Sequence, residues 1–259
     1  MKKFLKILTG ILVFIAVVIG IVFFLTSGMT DNATAFFNEV KAKNYDAAYD
    51  YLSEDFKAST PKEDFVSFLD RSALINFKET SWGERSFSGN QGELDGSVIT
   101  DNGGVIPIKI GFIKENDEWK IYSIFKPKAG LTEDNAAGKI PPADALMKLT
   151  DESLMAFASA VNAKDFTEFH SDISNLWQKQ ITAHELGEIF KAFTDGNINM
   201  VPALKTHNPV FDAEPLINSD GVMVLEGHYP TQPSKLLFTL KYIYEGVGWK
   251  LIGISVNIK

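Results

Sequence analysis

The sequence predicts an α+β protein in which an N-terminal transmembrane helix precedes two repeated units, each built from helices and a curved antiparallel sheet. Three observations predict this class. Residues 7–30 carry no charged side chain, the two halves of the remaining sequence align with each other, and each half places helical patterns before strand patterns. A chain of 259 residues, 45% of them hydrophobic, is long enough for two domains of ordinary size.

The charge balance and the cysteine content exclude several classes of protein and site. The chain has 25 Lys+Arg against 33 Asp+Glu, and no basic cluster follows its first residues. A surface that neutralises phosphates is therefore absent, and we expect no nucleic-acid partner. Cys is 0, which excludes a disulfide framework, a thiolate metal site, a cysteine nucleophile and a lipidated-cysteine anchor.

The first element is the uncharged run, which is apolar on every face and therefore unlike an amphipathic surface helix. We predict a cytoplasmic tip and transmembrane anchor over residues 1–28, with residues 7–25 in contact with the lipid bilayer. Three lysines precede the run, whereas Asp31 and Glu39 are the first charges after it. Because positive flanks stay in the cytoplasm, the N-terminus is predicted to be cytoplasmic and the rest of the chain extracytoplasmic, at the cell membrane.

A cleaved signal peptide is the alternative interpretation of the same run. The basic start fits a signal peptide, and the small residues Thr26, Ser27 and Gly28 supply a cleavage site. The apolar run is longer than the roughly 7–15 residues usual for a signal peptide, which favours the uncleaved anchor. Cleavage would give a secreted protein, so both interpretations predict export.

The two halves of the remaining chain match at both ends. VKAKNY from Val40 aligns with VNAKDF from Val161, and IGFIKENDEWKIYSI from Ile110 aligns without gaps to LKYIYEGVGWKLIGI from Leu240. A match that keeps its register over about a hundred positions indicates an internal repeat. We therefore predict a first domain over residues 29–126, a Pro/Gly/Ala-rich linker over 127–148, and a second domain over 149–259.

Each half reads as helices followed by four strands. Thr60-Pro61-Lys62-Glu63 and Thr182-Ala183-His184-Glu185 both have the Thr-x-x-Glu pattern of a capping box, which predicts a helix start at each. Alternating apolar runs separated by turn residues predict antiparallel strands over residues 77–87, 92–100, 104–114 and 118–125, then 203–213, 221–230, 235–245 and 248–257.

This pattern resembles the nuclear-transport-factor-2-like superfamily, whose cystatin-like, cone-shaped units place helices before a long curved sheet, and in particular its exported bacterial members. The resemblance rests on the helices over Val40–Tyr45 and Val161–Phe166 and on the strand ends Trp119-Lys120-Ile121 and Trp249-Lys250-Leu251. These motifs specify packing rather than a reaction. The resemblance implies a pocket enclosed by the sheet, in which enzymes of the superfamily hold Asp, His or Tyr as acid or base.

Candidate catalytic residues are few. Glu226 and His228 are two residues apart on a predicted strand, so they share one face and form the best pair for proton transfer. A lone strand histidine is more often a surface or core residue, and the first half has Asp95 and Ser97 in their places. No two histidines have a metal-ligand spacing, and phosphate-binding and dinucleotide motifs are absent. We expect no metal and no cofactor.

The aromatic side chains allow two interpretations. They line an apolar ligand pocket, or they fill the interface between helices and sheet, which a sheet with one buried face requires in any case. The pocket candidates are Trp82, Phe112, Trp119, Phe211, Tyr242 and Trp249.

Three functional hypotheses follow from the sequence. The first is a non-enzymatic extracytoplasmic binding or scaffold module, with two similar domains that bind a protein partner or a small apolar ligand. The alternative is an enzyme of the dehydratase or isomerase type that uses Glu226 and His228 in a pocket of the second domain. The third is a homo-oligomer in which the second domain self-associates through its sheet.

Overall fold

The computed structural model describes residues 28–127, 140–218 and 220–259. The chain divides into two compact units between residues 129 and 130, called unit 1 and unit 2 below. Each unit combines helices with one antiparallel sheet. This order of helices before strands is the α+β arrangement that the sequence predicts.

Unit 1 begins with helices that bury one apolar face. Residues 28–41 form α1, which buries Phe36, Phe37 and Val40 at helical spacing. Three helices follow: α2 (Tyr45–Asp50), α3 (Glu54–Ser59) and α4 (Lys62–Arg71). The Ser53 side chain accepts a hydrogen bond from the backbone of Phe56, which fixes the start of α3.

The sheet of unit 1 is a meander of four antiparallel strands in the order β1-β2-β3-β4. Its central strands alternate between buried and more exposed residues, with Ile108, Ile110 and Phe112 on the buried face. The strands are β1 (Phe77–Ser88), β2 (Gln91–Thr100), β3 (Val105–Glu115) and β4 (Glu118–Phe125).

Unit 2 begins with a longer helix, α5 (Ala143–Ala163). Phe157 lies at its centre, fully buried, and its ring contacts Phe166, Phe169, Phe190 and Phe193. The shorter helices that follow are α6 (Thr167–Asp172), α7 (Asn175–Gln178), α8 (Ala183–Ile189), α9 (Lys191–Asp195) and α10 (Val201–Thr206).

The sheet of unit 2 has the order β5-β7-β8-β9, and β6 pairs with β7. The two long strands, β8 and β9, are joined by a tight turn in which Glu245 pairs with Gly248. The strands are β5 (Val210–Phe211), β6 (Leu216–Ile217), β7 (Met223–Tyr229), β8 (Leu236–Glu245) and β9 (Gly248–Ile258).

Several local features of the two units occur at matching positions. In β3 and β4 the register shifts between Gly111 and Phe112, and in β8 and β9 it shifts between Lys241 and Tyr242, which the sequence alignment places opposite those residues. The backbone nitrogen of Ser53 donates to the carbonyl of Ile121. The same bond joins Ser174 to Leu251 in unit 2, so each sheet is tied to its helices at the same strand.

The predicted fold class requires a correction, because it includes a transmembrane helix. In the part of the chain that the structure describes, no helix is both long and apolar enough to span a membrane. The long helix α5 shows why, since Asp144, Lys148, Asp151 and Glu152 interrupt its apolar residues. The predicted anchor, residues 7–25, lies outside the described residues. The fold class is a mixed α+β chain with two antiparallel sheets.

Some local predictions also differ from the structure. The strand over 203–213 is wrong at its start, because residues up to Thr206 belong to α10. The capping box at Thr182 and Glu185 is confirmed, whereas Thr60 ends α3 and does not cap α4, which begins after Pro61. The helix α5 begins within the predicted linker 127–148.

Candidate functional site

An open cleft of about 610 Å³ runs along α5 and α6 of unit 2. Its residues on α5 recur every three to four positions, so one side of that helix forms the floor. The cleft is lined by Asp151, Glu152, Met155, Ala156, Ser159, Ala160, Ala163, Asp165, Glu168, Phe169 and Asp172.

The floor of the cleft is apolar and its side chains are small. The small side chains on α5 leave room for the cleft; they are Ala156, Ala160 and Ala163. Larger apolar contacts come from Met155 and Phe169. Phe169 is buried and packs edge-on against Phe157 at 5.8 Å between ring centroids. This wall of the cleft is therefore held by the core of unit 2.

Five carboxylates border the apolar floor, and no lysine, arginine or histidine is among the residues that line this cleft. Glu152 has one distant partner, Lys148 at 3.7 Å, and both side chains are more than half exposed. Asp165 accepts hydrogen bonds from the backbone and hydroxyl of Thr167, which lower the pKa of its carboxyl. The cleft is therefore negatively charged at neutral pH, which attracts cations.

A smaller cavity of about 190 Å³ continues the cleft toward the sheet. It shares four lining residues with the cleft, namely Glu152, Ala156, Phe169 and Asp172. Its far wall is formed by β8 and β9, through Tyr242, Trp249, Lys250 and Leu251. The combined space therefore extends from the outer side of α5 to the sheet.

Two buried tyrosines connect the sheet to α5 beside this space. Tyr229 donates its hydroxyl hydrogen to Asp151, which lines the cleft. Tyr242 donates to Ser153 Oγ at 2.9 Å, with the carbonyl of Leu149 at 3.2 Å. Burial raises the pKa of both phenols above the ordinary value, and the Asp151 carboxylate raises that of Tyr229 further. Both hydroxyls therefore remain protonated hydrogen-bond donors at neutral pH.

The structure places two of the six predicted pocket residues, Tyr242 and Trp249, at the smaller cavity. Phe211 packs edge-on against Phe238 at 6.3 Å, in the interface that the alternative interpretation describes. Neither of the two cavities described above is lined by Phe211.

The other three predicted pocket residues belong to unit 1, and each has a packing partner. Trp82 donates its indole hydrogen to Thr34 Oγ1 at 3.0 Å. Phe112 and Trp119 are buried and meet edge-on at 6.5 Å. In this unit the aromatics fill the space between helix and sheet.

Glu226 and His228 share one face of β7, as predicted, but this is the face opposite the core. The buried residues of that strand alternate with them, and Glu226 is exposed. His228 Nδ1 lies 2.9 Å from Asp212 Oδ1, a partner that the sequence did not indicate. Neither member of the predicted pair lines the cleft or the smaller cavity. The enzyme hypothesis therefore loses its proposed acid–base pair as a pocket site.

The cleft carboxylates were not identified as site residues from the sequence. Asp151, Glu152 and Glu168 read as the solvated face of amphipathic helices, which is the usual place for such residues. Asp151 and Glu152 recur at helical spacing with Ala156 and Ala160, which places these four residues on one side of α5. That spacing was the signal that the sequence offered for the cleft. Within residues 28–127, 140–218 and 220–259, no group of three or more His, Cys, Asp or Glu side chains could hold a metal ion.

Comparison with known proteins adds a likeness to a solved structure. No protein-family model matches the chain, and no curated protein matches it. Among solved structures, the chain is similar to a cystatin-like protein from Ruminococcus gnavus ATCC 29149, with 11% sequence identity and a TM-score of 0.27. The match covers 89% of this chain and 90% of that one. The fold described above rests on the helices and strands of the two units themselves.

Proposed function

We propose that this chain is a non-enzymatic binding protein, and that unit 2 binds a small ligand with an apolar body and a positively charged group. The observation that carries the proposal is the cleft of about 610 Å³, which has an apolar floor and five carboxylates at its border. Ligand sites are typically concave, largely apolar and roughly 300–1,000 Å³ in volume. The apolar floor supplies affinity, and the carboxylates select the sign of the charge.

Binding without chemistry is favoured by the composition of the same cleft. Its lining contains no histidine and no lysine, and its hydroxyl group, on Ser159, lies on an exposed position of α5. General acid–base catalysis most often uses a histidine held within hydrogen-bond reach of the reacting group. The cleft therefore supports recognition better than proton transfer.

The proposal is tested by titrating the full chain with 9-aminoacridine, a flat aromatic cation, and following its fluorescence. We expect saturable binding, and we expect the anionic fluorophore 8-anilinonaphthalene-1-sulfonate to bind at least tenfold more weakly. Ser159→Trp places a large ring over the cleft floor from an exposed position, so the affinity for the cation should fall at least tenfold. Ala143→Trp adds the same ring to an exposed position of α5 outside the cleft and should leave the affinity unchanged.

The contribution of charge is tested separately. Asp172→Asn removes a carboxylate that borders both the cleft and the smaller cavity. We expect a loss of about fivefold in affinity, since an exposed charge pair contributes up to about 1 kcal/mol. Asp144→Asn, on α5 outside the cleft, is the matched control. Equal affinities for the cation and the anion, or an equal effect of the two tryptophan variants, would contradict the proposed function.

We also infer that the two units are copies of one ancestral unit and that both are exported. The repeat is supported by the matching register shifts and by the matching bonds of Ser53 and Ser174. Export is supported by the apolar run near the N-terminus and by the lysines that precede it. Protease added to spheroplasts should digest both units, and protection of both would contradict export.

A further inference from the structure

The outer edge of β9 in unit 2 carries a row of backbone groups that have no backbone partner among the residues that the structure describes. Lys235 and Lys259 exchange both of their backbone hydrogen bonds, which sets the alternation along β8 and β9. The N–H and C=O groups of Ile254, Val256 and Ile258 therefore point away from β8. Among the described residues, none of these three makes a backbone bond on that side; the edge is occupied only near Leu251, by Ser174.

This edge lacks the features that protect the edge formed by β1 and the edge formed by β5 and β6. The edge strand β1 of unit 1 carries charged residues along its length and has two register shifts, which disfavour pairing with another strand. The opposite edge of the unit 2 sheet is formed by strands of two residues, β5 and β6. In β9 the segment from Leu251 to Ile258 has no charged residue, no proline and several β-branched residues.

The two faces of this segment are complementary to a second copy of itself. Ile254 and Val256 pack partly against the core of unit 2, and Ile258 beside them is 41% exposed. Ser255 and Asn257 are exposed on the other face. If two copies pair antiparallel about Val256, Ile254 lies opposite Ile258 on the apolar face. Ser255 then lies opposite Asn257 on the polar face.

The lysines favour the antiparallel direction of this pairing. In that arrangement Lys259 lies opposite Gly253 of the other copy, and the nearest lysine of that copy is Lys241, one strand further in, whose stem packs over the glycine. A parallel, in-register arrangement would instead place Lys259 beside Lys259, which costs free energy. We propose that two copies of this chain associate through β9, antiparallel about Val256, to form one continuous sheet across the dimer.

The pairing is tested by measuring the oligomeric state of the full chain by sedimentation velocity in a mild detergent. We expect the unmodified chain to dimerise at micromolar concentrations. The double variant Ser255→Lys with Asn257→Lys places lysine opposite lysine twice in the dimer, so the dissociation constant should rise at least tenfold. The matched variant, Ser255→Lys with Asn257→Glu, places lysine opposite glutamate at the same sites and should retain the dimer.

Both substituted positions, Ser255 and Asn257, are exposed, so the monomer should keep its fold, which circular dichroism will check. A monomeric unmodified chain at 100 micromolar would overturn the proposal, as would equal dissociation constants for the two double variants. Because the cation titration reports on α5 and α6, and the dimer on β9, either proposal can fail while the other stands.

Discussion

Units 1 and 2 each pack helices against an antiparallel sheet, and they differ at two buried positions that the sequence alignment places opposite each other. Where β2 and β3 of unit 1 carry Val98 and Phe112, the matching positions in β7 and β8 carry Tyr229 and Tyr242. A buried hydroxyl costs about 1–3 kcal/mol unless it has a hydrogen-bond partner. The long helix of unit 2 supplies the partners, Asp151 and Ser153.

The two units therefore differ in the interface between their helices and their sheet. In unit 1 apolar and aromatic contacts close the interface between the first helix and the sheet, called the seam below; Phe37, for example, packs against Phe77 and Trp82. In unit 2 the same seam contains two hydroxyl donors, and a cavity opens beside Tyr242. Polar groups at this seam accompany the cleft, which is why we place ligand binding in unit 2.

Alkaline pH is expected to produce the largest difference in stability between the two units. Burial raises the folded-state pKa of Tyr242 above its unfolded value of about 10, so its contribution to stability is complete below pH 10 and is lost as pH rises. The free energy of unfolding of unit 2 should fall by about 1.4 kcal/mol per pH unit from Tyr242 alone. Burial and the Asp151 carboxylate also raise the pKa of Tyr229, so the contribution of Tyr229 is lost in the same direction as pH rises.

In unit 1 burial raises the pKa of Tyr49, which is only partly buried, whereas Tyr229 and Tyr242 of unit 2 are fully buried. A titration above pH 10, followed by hydrogen exchange and by tyrosinate absorbance, should therefore show unit 2 opening first. Opening of unit 1 at the lower pH would contradict the difference that we describe.

Substitution of the glycine that occurs at matching positions of the two units should have the next largest effect on stability. A Cβ at Gly96 would lie 2.5 Å from the carbonyl oxygen of Ser81, and one at Gly227 would overlap the carbonyl oxygen of Val210. Gly96→Ala and Gly227→Ala should each lower the free energy of unfolding by about 1–3 kcal/mol, because the neighbouring strand must move. Urea denaturation measures this loss. A neutral effect in one unit would show that the two sheets do not share this constraint.

Removal of a seam hydroxyl should affect unit 2 by a smaller amount. Tyr229→Phe removes the hydrogen bond to the Asp151 carboxylate, and a bond to a charged group contributes about 1.5–3 kcal/mol. We expect a value near the lower limit, because Asp151 borders the cleft and water can replace the hydroxyl. Thermal unfolding of the variant checks this value, with Tyr45→Phe as a control in unit 1.

The smallest expected effect is an increase in the stability of unit 1. Asn32 occupies the position in α1 that matches Ser153, and its buried Oδ1 has no hydrogen-bond donor among the described residues. Phe112→Tyr should place a hydroxyl near this acceptor and raise the free energy of unfolding by about 0.5–1.5 kcal/mol. A loss larger than about 1 kcal/mol in urea denaturation would mean that the seam of unit 1 has no room for the hydroxyl.

The sequence predicted the framework of each unit better than the site. The alignment of Trp119 with Trp249 indicated paired strands that the structure contains, because an alternating apolar pattern determines both strand and register. The capping box at Thr182 was predicted, since its hydrogen bonds are local. The box at Thr60 was not formed, because that residue ends the preceding helix.

The site depends on features that no local pattern contains. The position of α6 beside α5 decides whether Asp151 and Glu168 border a cleft or a flat surface, and this position is set by the packing of Phe157 with Phe166 and Phe169. Glu226 and His228 were assigned to one strand face correctly. Which face of that strand meets the core could not be read from those two residues alone.

The most direct test of ligand binding in unit 2 is hydrogen exchange of the full chain with and without saturating 9-aminoacridine. We expect slower exchange in α5 and α6, over residues 149–172, and unchanged exchange in α1 of unit 1, over residues 28–41. Protection of α1 equal to that of α5, or protection of neither helix, would contradict the assignment of the binding site to the cleft of unit 2.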